Sequence, residues 1–180
     1  MRSQESVVGS QRTHILETPR LWLRYLRLND LDVMCSYLGD RKTMVHYPQP
    51  FSREFVKDGI EKNIARYLEY GYGLFGVELK QRGEFIGDCG LVWQEIEDHA
   101  ELEVGYHFRR EHWGHGYAPE AAKACIDFAF NRAGVDHVIS LIRPENLPSR
   151  RVAEKNGLRV VRQVMWKGLL HDIWEIRCGR

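Results

Sequence analysis

The sequence predicts a mixed α/β fold, with a twisted β-sheet of about seven strands and helices on both of its faces. Extended, strand-like apolar segments alternate with segments whose apolar residues recur every three or four positions. Three extended segments follow one another with no helix between them, which indicates an antiparallel meander. This order of elements is typical of mixed α/β proteins, and 180 residues with 43% hydrophobic content suffice for one sizeable core.

The first part of the chain predicts an arm, a strand and two helices. Residues 1–14 are polar and without a period, so we predict a flexible arm there and a single domain over residues 15–180. Residues 21–28 alternate apolar and charged side chains over part of their length, which predicts a strand that leads into a helix cap. A second helical face starts at Ser52 and ends before Gly71.

The remainder of the chain supplies the other strands and two more helices. The predicted meander covers residues 74–80, 84–93 and 100–108. A helix over residues 117–133 carries small side chains on one face, which lets it pack closely against the sheet. The chain then continues with a strand at 137–142, a helix at 148–156 and strands at 159–166 and 171–177.

The charge balance and the apolar pattern exclude several functional classes. Lysine and arginine number 26 against 25 aspartate and glutamate residues, so there is no general attraction to nucleic acid or to an anionic membrane. No apolar run approaches the roughly 20 residues that cross a bilayer, and the first residues lack the apolar core of a signal peptide. We therefore predict a cytoplasmic protein with neither a membrane nor a nucleic-acid partner.

The strongest local signal lies between the strand that ends near Phe108 and the helix that follows. Gly114 and Gly116 allow the backbone to turn with its amides pointing inward, and Pro119 suits a first helical turn. Together with the helix dipole, such a turn can hold a phosphate-sized anion. Glycine at a strand-to-helix turn can equally serve chain geometry alone, and neither a dinucleotide fingerprint nor a P-loop is present.

Residues 113–118, Trp-Gly-His-Gly-Tyr-Ala, followed by Pro-Glu-Ala-Ala, resemble the acetyl-CoA pyrophosphate loop of the GNAT superfamily of N-acetyltransferases. Gly116 and Ala118 match the two small positions of the pattern Q/R-x-x-G-x-G/A, and Trp113 replaces the usual Gln or Arg. That replacement resembles the RimJ and RimL branch, which acetylates ribosomal protein N-termini. Residues 18–24 and 146–158 resemble two further segments of the same branch, with Leu158 where that branch has Phe.

The resemblance implies a sheet whose central strands, residues 102–108 and 137–142, splay apart and admit acetyl-CoA as co-substrate. A backbone N–H within residues 104–106 would polarise the acetyl carbonyl. The residues expected to contact the cofactor are Tyr106, His107, Phe108, Arg109, Trp113, Gly114, His115, Gly116, Tyr117, Ala118, Asn146 and Ser149.

The same resemblance suggests catalytic residues, each with a structural alternative. Glu103 is the expected general base, and Glu101 shares its parity on the strand, while Asp88 and His107 are weaker candidates. Glu103 could equally be an ion-paired strand residue. Because residues 148–156 contain no tyrosine, Ser149 is the expected donor to the leaving thiolate. Ser149 and Asn146 could instead serve only as helix caps.

The residues around the loop leave further choices open. Arg109, Arg110, Arg150 and Arg151 could reach the phosphates of CoA or form a solvated basic rim. His107, His112 and His115 match no metal-ligand spacing, so we predict no metal.

The expected reaction is direct transfer of an acetyl group from acetyl-CoA to a primary amine. A protein N-terminal amine is the first acceptor that the resemblance implies, and a small-molecule amine such as a polyamine, an amino acid or an aminoglycoside is the second. A non-catalytic acyl-CoA-binding module and a structural domain without cofactor are the rival classes. The sequence leaves open whether the chain forms a homodimer.

Overall fold

A computed structural model of the chain describes residues 14–179 and shows them folded around an eight-stranded sheet. The strands are β1 (His14–Glu17), β2 (Leu21–Tyr25), β3 (Leu74–Leu79), β4 (Glu84–Ile96), β5 (His99–Phe108), β6 (His137–Ile142), β7 (Arg159–Trp166) and β8 (Leu169–Arg177). The helices are α1 (Leu31–Leu38), α2 (Arg53–Tyr70), α3 (Tyr117–Phe128), which a π-helical turn extends, and α4 (Leu147–Lys155). No helix within the described part of the chain is long and apolar enough to span a membrane.

The sheet confirms the predicted mixed architecture and the meander. Its strand order is β1-β2-β3-β4-β5-β6-β8-β7, and β5 with β6 is the parallel pair among otherwise antiparallel neighbours. The strand beyond the predicted seven is β1. Its four residues are too few to show an alternation, and its pairing with β2 defines it. His14, which the sequence placed in the arm, opens β1, whereas residues 1–13 lie outside the described residues.

The parallel pair at the centre of the sheet parts soon after it forms. β5 and β6 share one register position, Glu103 opposite Ile139. The N–H of Arg109 donates to Ile86 O (2.9 Å), so the backbone groups of odd-numbered β5 residues face β4 and those of even-numbered residues face β6. Consistent with this parity, Ser140 Oγ donates to Val104 O (3.1 Å). Beyond this point the strands border a gap, which we name the central cleft.

The two faces of β5 have different surroundings. Leu102, Val104 and Phe108 are buried in the main core together with the small residues on one face of α3, as the sequence predicts. The odd-numbered side chains face α1 and the segment that joins α1 to α2. Tyr37 of α1 and Tyr47 of that segment both reach this face. The sheet thus separates a packed α3 side from a more polar side.

Element ends differ from the sequence prediction where side chains capture the backbone. β2 ends at Tyr25 rather than at residue 28. Arg24 is buried there, with two contacts of 2.8 Å to the Asp30 carboxylate and one of 2.7 Å to Glu78. This buried ion cluster turns the chain into the next helix. α2 begins where expected, because Ser52 Oγ accepts the N–H of Phe55 (3.2 Å) as an N-cap.

Candidate active site

The loop of residues 109–118, which we call the glycine loop, joins β5 to α3 beside the central cleft. It starts with a 3-10 turn over Arg110–His112. Gly114 (φ +78°) and Gly116 (φ +79°) then adopt the left-handed conformation that glycine accommodates without strain. Gly116 is the N-cap of α3 and supplies no side chain to cap the first turn. The helix start is therefore open to an external hydrogen-bond acceptor.

The glycine loop carries a run of backbone N–H groups without an acceptor in the part of the chain that the structure describes. The first hydrogen bond of α3 runs from the N–H of Glu120 to Gly116 O (3.3 Å). Among the described residues, no acceptor is bonded to the N–H groups of Gly114, His115, Gly116, Tyr117 and Ala118. Successive free amides at the positive end of a helix dipole form a cradle for an anion such as a diphosphate.

Trp113 and Arg20 hold the glycine loop in this shape. Trp113 Nε1 donates to Phe108 O (2.7 Å) and so ties the loop to the end of β5. Arg20 bonds Glu120 through its N–H (2.9 Å) and its Nε (2.6 Å), and its Nη1 donates to His115 O (2.9 Å). The Arg20 guanidinium also lies 4.6 Å from the ring centroid of Tyr117. Trp113 thus anchors the loop to the end of β5.

The arginines near the glycine loop differ in their contacts: two of them bond to other protein groups, and two are exposed. Arg109 Nη1 contacts Glu84 (3.2 Å) and Phe85 O (3.0 Å), and its Nη2 contacts Glu111 (2.5 Å). Arg150 donates to Pro144 O (3.0 Å), whereas Arg110 and Arg151 are exposed. Arg109 therefore joins the glycine loop to β4.

The three histidines that the sequence groups near the loop bond to different partners. His107 contacts Asp88 and Tyr47, and His112 contacts Glu84 at 3.2 Å. His115 Nδ1 lies 2.9 Å from Trp113 O. Each ring thus has its own local hydrogen-bonding role.

The walls of the central cleft bring together residues from β5 and α4. By the parity of β5, the N–H groups of Tyr106 and Phe108 face the cleft, whereas the N–H of His107 faces β4. Tyr106 Oη donates to Ser149 O (3.2 Å) across the cleft. Asn146 Oδ1 accepts the N–H of Ser149 (3.2 Å), so Asn146 caps α4, as the structural alternative holds. The Ser149 hydroxyl has no hydrogen-bond partner within residues 14–179.

Glu103 lies at the point where β5 and β6 part, and its two carboxylate oxygens link three strands. Oε1 accepts the N–H of Leu141 on β6 (3.1 Å), and Oε2 accepts Nε2 of Gln94 on β4 (2.7 Å). Burial raises the pKa of Glu103, and these two hydrogen bonds offset the rise only in part. Glu101, the preceding residue on the same face of β5, contacts His137 Nε2 at 2.6 Å. Of the two carboxylates, Glu103 is the one at the cleft.

A chain of four polar side chains crosses the same face of the sheet. Tyr37 Oη donates to Asp88 Oδ1 (2.6 Å), Asp88 Oδ2 lies 3.0 Å from His107 Nδ1, and His107 Nε2 lies 2.7 Å from Tyr47 Oη. Burial alone would lower the pKa of His107, but Tyr47 and the Asp88 carboxylate outweigh it and raise the pKa to about 10. The raised pKa favours the imidazolium form of His107, and this form cannot act as a general base.

Sequence reasoning missed several residues of this site, among them Arg20, Gln94 and Tyr47. Arg20 lies within the matched segment of residues 18–24, and that match was the available signal for it. Gln94 and Tyr47 carry no local motif. They reach the site because strand pairing places Gln94 beside Glu103, and the α1–α2 segment brings Tyr47 to His107.

The fold and the loop together define a class of protein before any comparison is made. A parted pair of central strands can hold an extended ligand arm by its backbone groups, and the adjoining cradle suits a diphosphate. This arrangement is that of a protein that binds an extended ligand carrying a diphosphate.

Comparison with known proteins gives the family. Residues 20–159 match the Acetyltransferase (GNAT) domain, and the chain belongs to this family. It is 39% identical to the uncharacterised protein YkkB of Bacillus subtilis (strain 168) over 79% of this chain and 84% of YkkB. It is 33% identical to the uncharacterised N-acetyltransferase p20 of Bacillus licheniformis, over 87% of this chain and 85% of p20. The chain is thus an acyltransferase that uses acetyl-CoA.

Solved structures show the same fold. An acetyltransferase from Agrobacterium tumefaciens str. C58 superposes with a TM-score of 0.79 at 24% identity, covering 94% of this chain and 100% of that one. RimL, a ribosomal L7/L12 α-N-protein acetyltransferase solved with coenzyme A, gives a TM-score of 0.72 at 18% identity and covers 92% and 98% of the two chains. An aminoglycoside acetyltransferase, also solved with coenzyme A, gives 0.71 at 15% identity and covers 87% and 94%.

Proposed function

We propose that this enzyme transfers the acetyl group of acetyl-CoA to the α-amine of a protein or peptide N-terminus by direct attack. The observation that carries the proposal is the run of five backbone amides in the glycine loop that have no acceptor among the described residues, next to a cleft between parted strands. The sequence motifs shared with the RimJ and RimL branch support the choice of acceptor. The fold is equally that of an aminoglycoside acetyltransferase, so fold alone does not select the acceptor.

The glycine loop and the central cleft bind two different parts of the co-substrate. The free amides of residues 114–118 and the dipole of α3 bind the diphosphate. The extended arm then lies along the cleft edge of β5, where Tyr106 and Phe108 present backbone groups as an edge strand would. Asn146 and Ser149 border the arm from the α4 side, where Tyr106 and Ser149 are already in contact.

The acetyl carbonyl is polarised by the first unpaired amide of β5. Because β5 and β6 pair at Glu103, the next cleft-facing amide beyond the paired region is that of Tyr106. This narrows the expected donor from residues 104–106 to a single N–H. A fixed N–H at this position stabilises the oxyanion that forms when the amine attacks.

Two side chains then handle protons. Glu103 accepts the proton of the attacking amine through a water molecule, since each of its oxygens keeps a lone pair beyond its present hydrogen bond. A pKa raised by burial brings this carboxylate nearer to the working pH of a general base. The Ser149 hydroxyl donates a hydrogen bond to the departing thiolate and keeps its own proton. An α-amine has a pKa of about 8, so the demand on the base is modest.

Mass spectrometry of acceptors incubated with the enzyme and acetyl-CoA tests the proposal. The acceptors are hexapeptides with a free N-terminal serine or alanine, the same peptides with blocked N-termini and an internal lysine, spermidine, and an aminoglycoside. We expect acetylation confined to the free N-termini. Exclusive acetylation of spermidine or the aminoglycoside would replace the peptide with a small-molecule acceptor. CoA binding without any acetylated product would instead favour the non-catalytic module. The cytoplasmic location, the single domain over residues 15–180 and the homodimer stay open predictions.

A further inference from the structure

Gly105 leaves an open space on the polar face of β5. It lies between Glu103 and His107 on the odd-numbered side of the strand, opposite Gly90 of β4. Its φ is not positive, so its backbone does not require glycine. A Cβ added there would approach one heavy atom within contact range, Leu74 Cδ2 at 4.0 Å. Neither the backbone conformation nor packing by residues 14–179 therefore accounts for the missing side chain, and a ligand can occupy this space.

The polar chain beside this space has a fixed direction of hydrogen bonding. Asp88 is buried and its carboxylate can only accept, so Tyr37 and His107 both donate to it. The buried Asp88 carboxylate, 3.0 Å from Nδ1, favours the protonated ring, in which both nitrogens are donors and Nε2–H points to Tyr47 Oη at 2.7 Å. The hydroxyl hydrogen of Tyr47 is then left for another acceptor. Tyr47 is 41% exposed, so this donor is accessible from outside the protein.

The four side chains act together as a positioned donor. The aspartate holds the imidazolium, which holds the Tyr47 oxygen, while an edge contact with Phe51 (5.3 Å between centroids) fixes the ring of Tyr47. The outward hydroxyl of Tyr47 lies beside His107. His107 is the next residue after Gly105 on the same face of β5. A ligand lying over Gly105 thus meets a hydrogen-bond donor on the His107 side and the Glu103 carboxylate on the other.

We propose that Gly105, Tyr47 and His107 form the acceptor face, and that Tyr47 donates to a carbonyl oxygen next to the reacting amine. The inference rests on the proposed acetyl transfer and specifies its acceptor. An α-amino carbonyl compound, such as a peptide N-terminus, has an amine and a hydrogen-bond-accepting oxygen two bonds beyond its α-carbon. An alkyl amine offers no such oxygen. The acceptor face therefore favours peptides over alkyl polyamines.

Steady-state kinetics on two variants and two probes test the acceptor face. The variants are Tyr47→Phe and Gly105→Ala, and the probes are a hexapeptide with a free N-terminal serine and hexylamine, which has no carbonyl. Tyr70→Phe, another half-exposed tyrosine, and Gly59→Ala, where an added Cβ also meets open space, are the matched controls. Calorimetric titration with CoA monitors the co-substrate site in each variant.

We expect Tyr47→Phe to lower kcat/KM for the peptide about fivefold, the loss of one net hydrogen bond, and to leave hexylamine unaffected. Gly105→Ala should raise the peptide KM about tenfold, because a methyl group fills space that the acceptor needs. CoA affinity and both control variants should match the wild type. If the wild type does not acetylate hexylamine, the peptide kinetics of the two variants against the wild type test the acceptor face alone.

Two results would overturn the inference while acetyl transfer stands. One is unchanged peptide kinetics in both Tyr47→Phe and Gly105→Ala, and the other is an equal loss for peptide and hexylamine in Tyr47→Phe. Failure of the proposed function would look different. In that case the wild-type enzyme itself would acetylate neither probe, which would contradict the peptide acceptor before any variant is compared.

Discussion

The charge states of single side chains on β5 decide which of them can take part in proton transfer. Glu103 and His107 lie on the same face of β5, and Gly105 lies between them on that face. Burial favours the neutral form of Glu103, whereas Asp88 and Tyr47 hold His107 in its charged form against burial. Of the two, the carboxylate is therefore the group that can accept a proton near neutral pH.

The imidazolium of His107 depends on the carboxylate next to it, and this dependence predicts a shift on substitution. Asp88→Asn removes the negative charge and leaves the burial, so the pKa of His107 should fall from about 10 toward or below its ordinary value of about 6.5. Titration of the imidazole nitrogens by NMR measures this pKa. Glu84→Gln, which changes the carboxylate beside His112, is the control and should leave the His107 titration unchanged. An unaltered pKa in Asp88→Asn would contradict the assigned network.

The role of Glu103 as base predicts a loss of turnover that depends on pH. In Glu103→Gln the new amide oxygen still accepts the N–H of Leu141, and the amide of Gln94 can turn to match, so the fold should persist. Turnover of a peptide amine should fall about 100-fold near pH 6.5. The loss should shrink above pH 8, where the α-amine is already neutral without a base. A loss of equal size across this range, measured by initial rates, would assign Glu103 a structural role only.

At the scale of elements, the start of α3 and the loop before it form one binding unit. Five consecutive amides have no acceptor within residues 14–179, because two glycines adopt positive φ and because Gly116 brings no capping side chain. Trp113 ties one end of the loop to β5, and Arg20 ties the other end to the start of β2 through Glu120. The cradle is thus held in place before any ligand arrives, which reduces the entropy lost on binding.

A negative charge placed in this cradle should prevent CoA binding. Gly116→Glu puts a carboxylate where the diphosphate binds, and we expect CoA affinity to fall roughly 100-fold or more, since an unpaired charge there repels the ligand. Gly134→Glu is the matched control, because Gly134 has a similar φ (+70° against +79°) and lies at the other end of the α3 segment.

Thermal unfolding with and without CoA measures both variants. At 100 times the wild-type dissociation constant, CoA should stabilise the wild type and Gly134→Glu by about 2.7 kcal/mol and Gly116→Glu by about 0.4 kcal/mol or less. Equal stabilisation of all three proteins would locate the nucleotide elsewhere.

At the scale of the whole molecule, the sequence predicts the order of the elements well and the side-chain contacts poorly. Seven of the eight strands and the four helices follow from apolar period and glycine positions, since these signals are local. β1 was missed because its strand conformation depends on pairing with β2. β2 was predicted too long because the buried Arg24 cluster, formed with Asp30 and Glu78, turns the chain early.

The candidate site shows the same division. The glycine loop was predictable, because left-handed glycines before a helix start are visible in the sequence. The contacts of Arg20 and Tyr47 were not, because each residue meets its partner across 60 to 100 positions of chain. The capping role of Asn146 was predictable as an alternative, since capping is local.

The central claim is that the free amides of the glycine loop bind the diphosphate of CoA. The most direct measurement is a titration of 15N-labelled protein with CoA, followed by amide proton NMR and hydrogen exchange. We expect the signals of Gly114, His115, Gly116, Tyr117 and Ala118 to shift, and their amides to exchange more slowly, once CoA is bound. Saturable CoA binding that moves other amides and leaves these five unchanged in shift and exchange would contradict it.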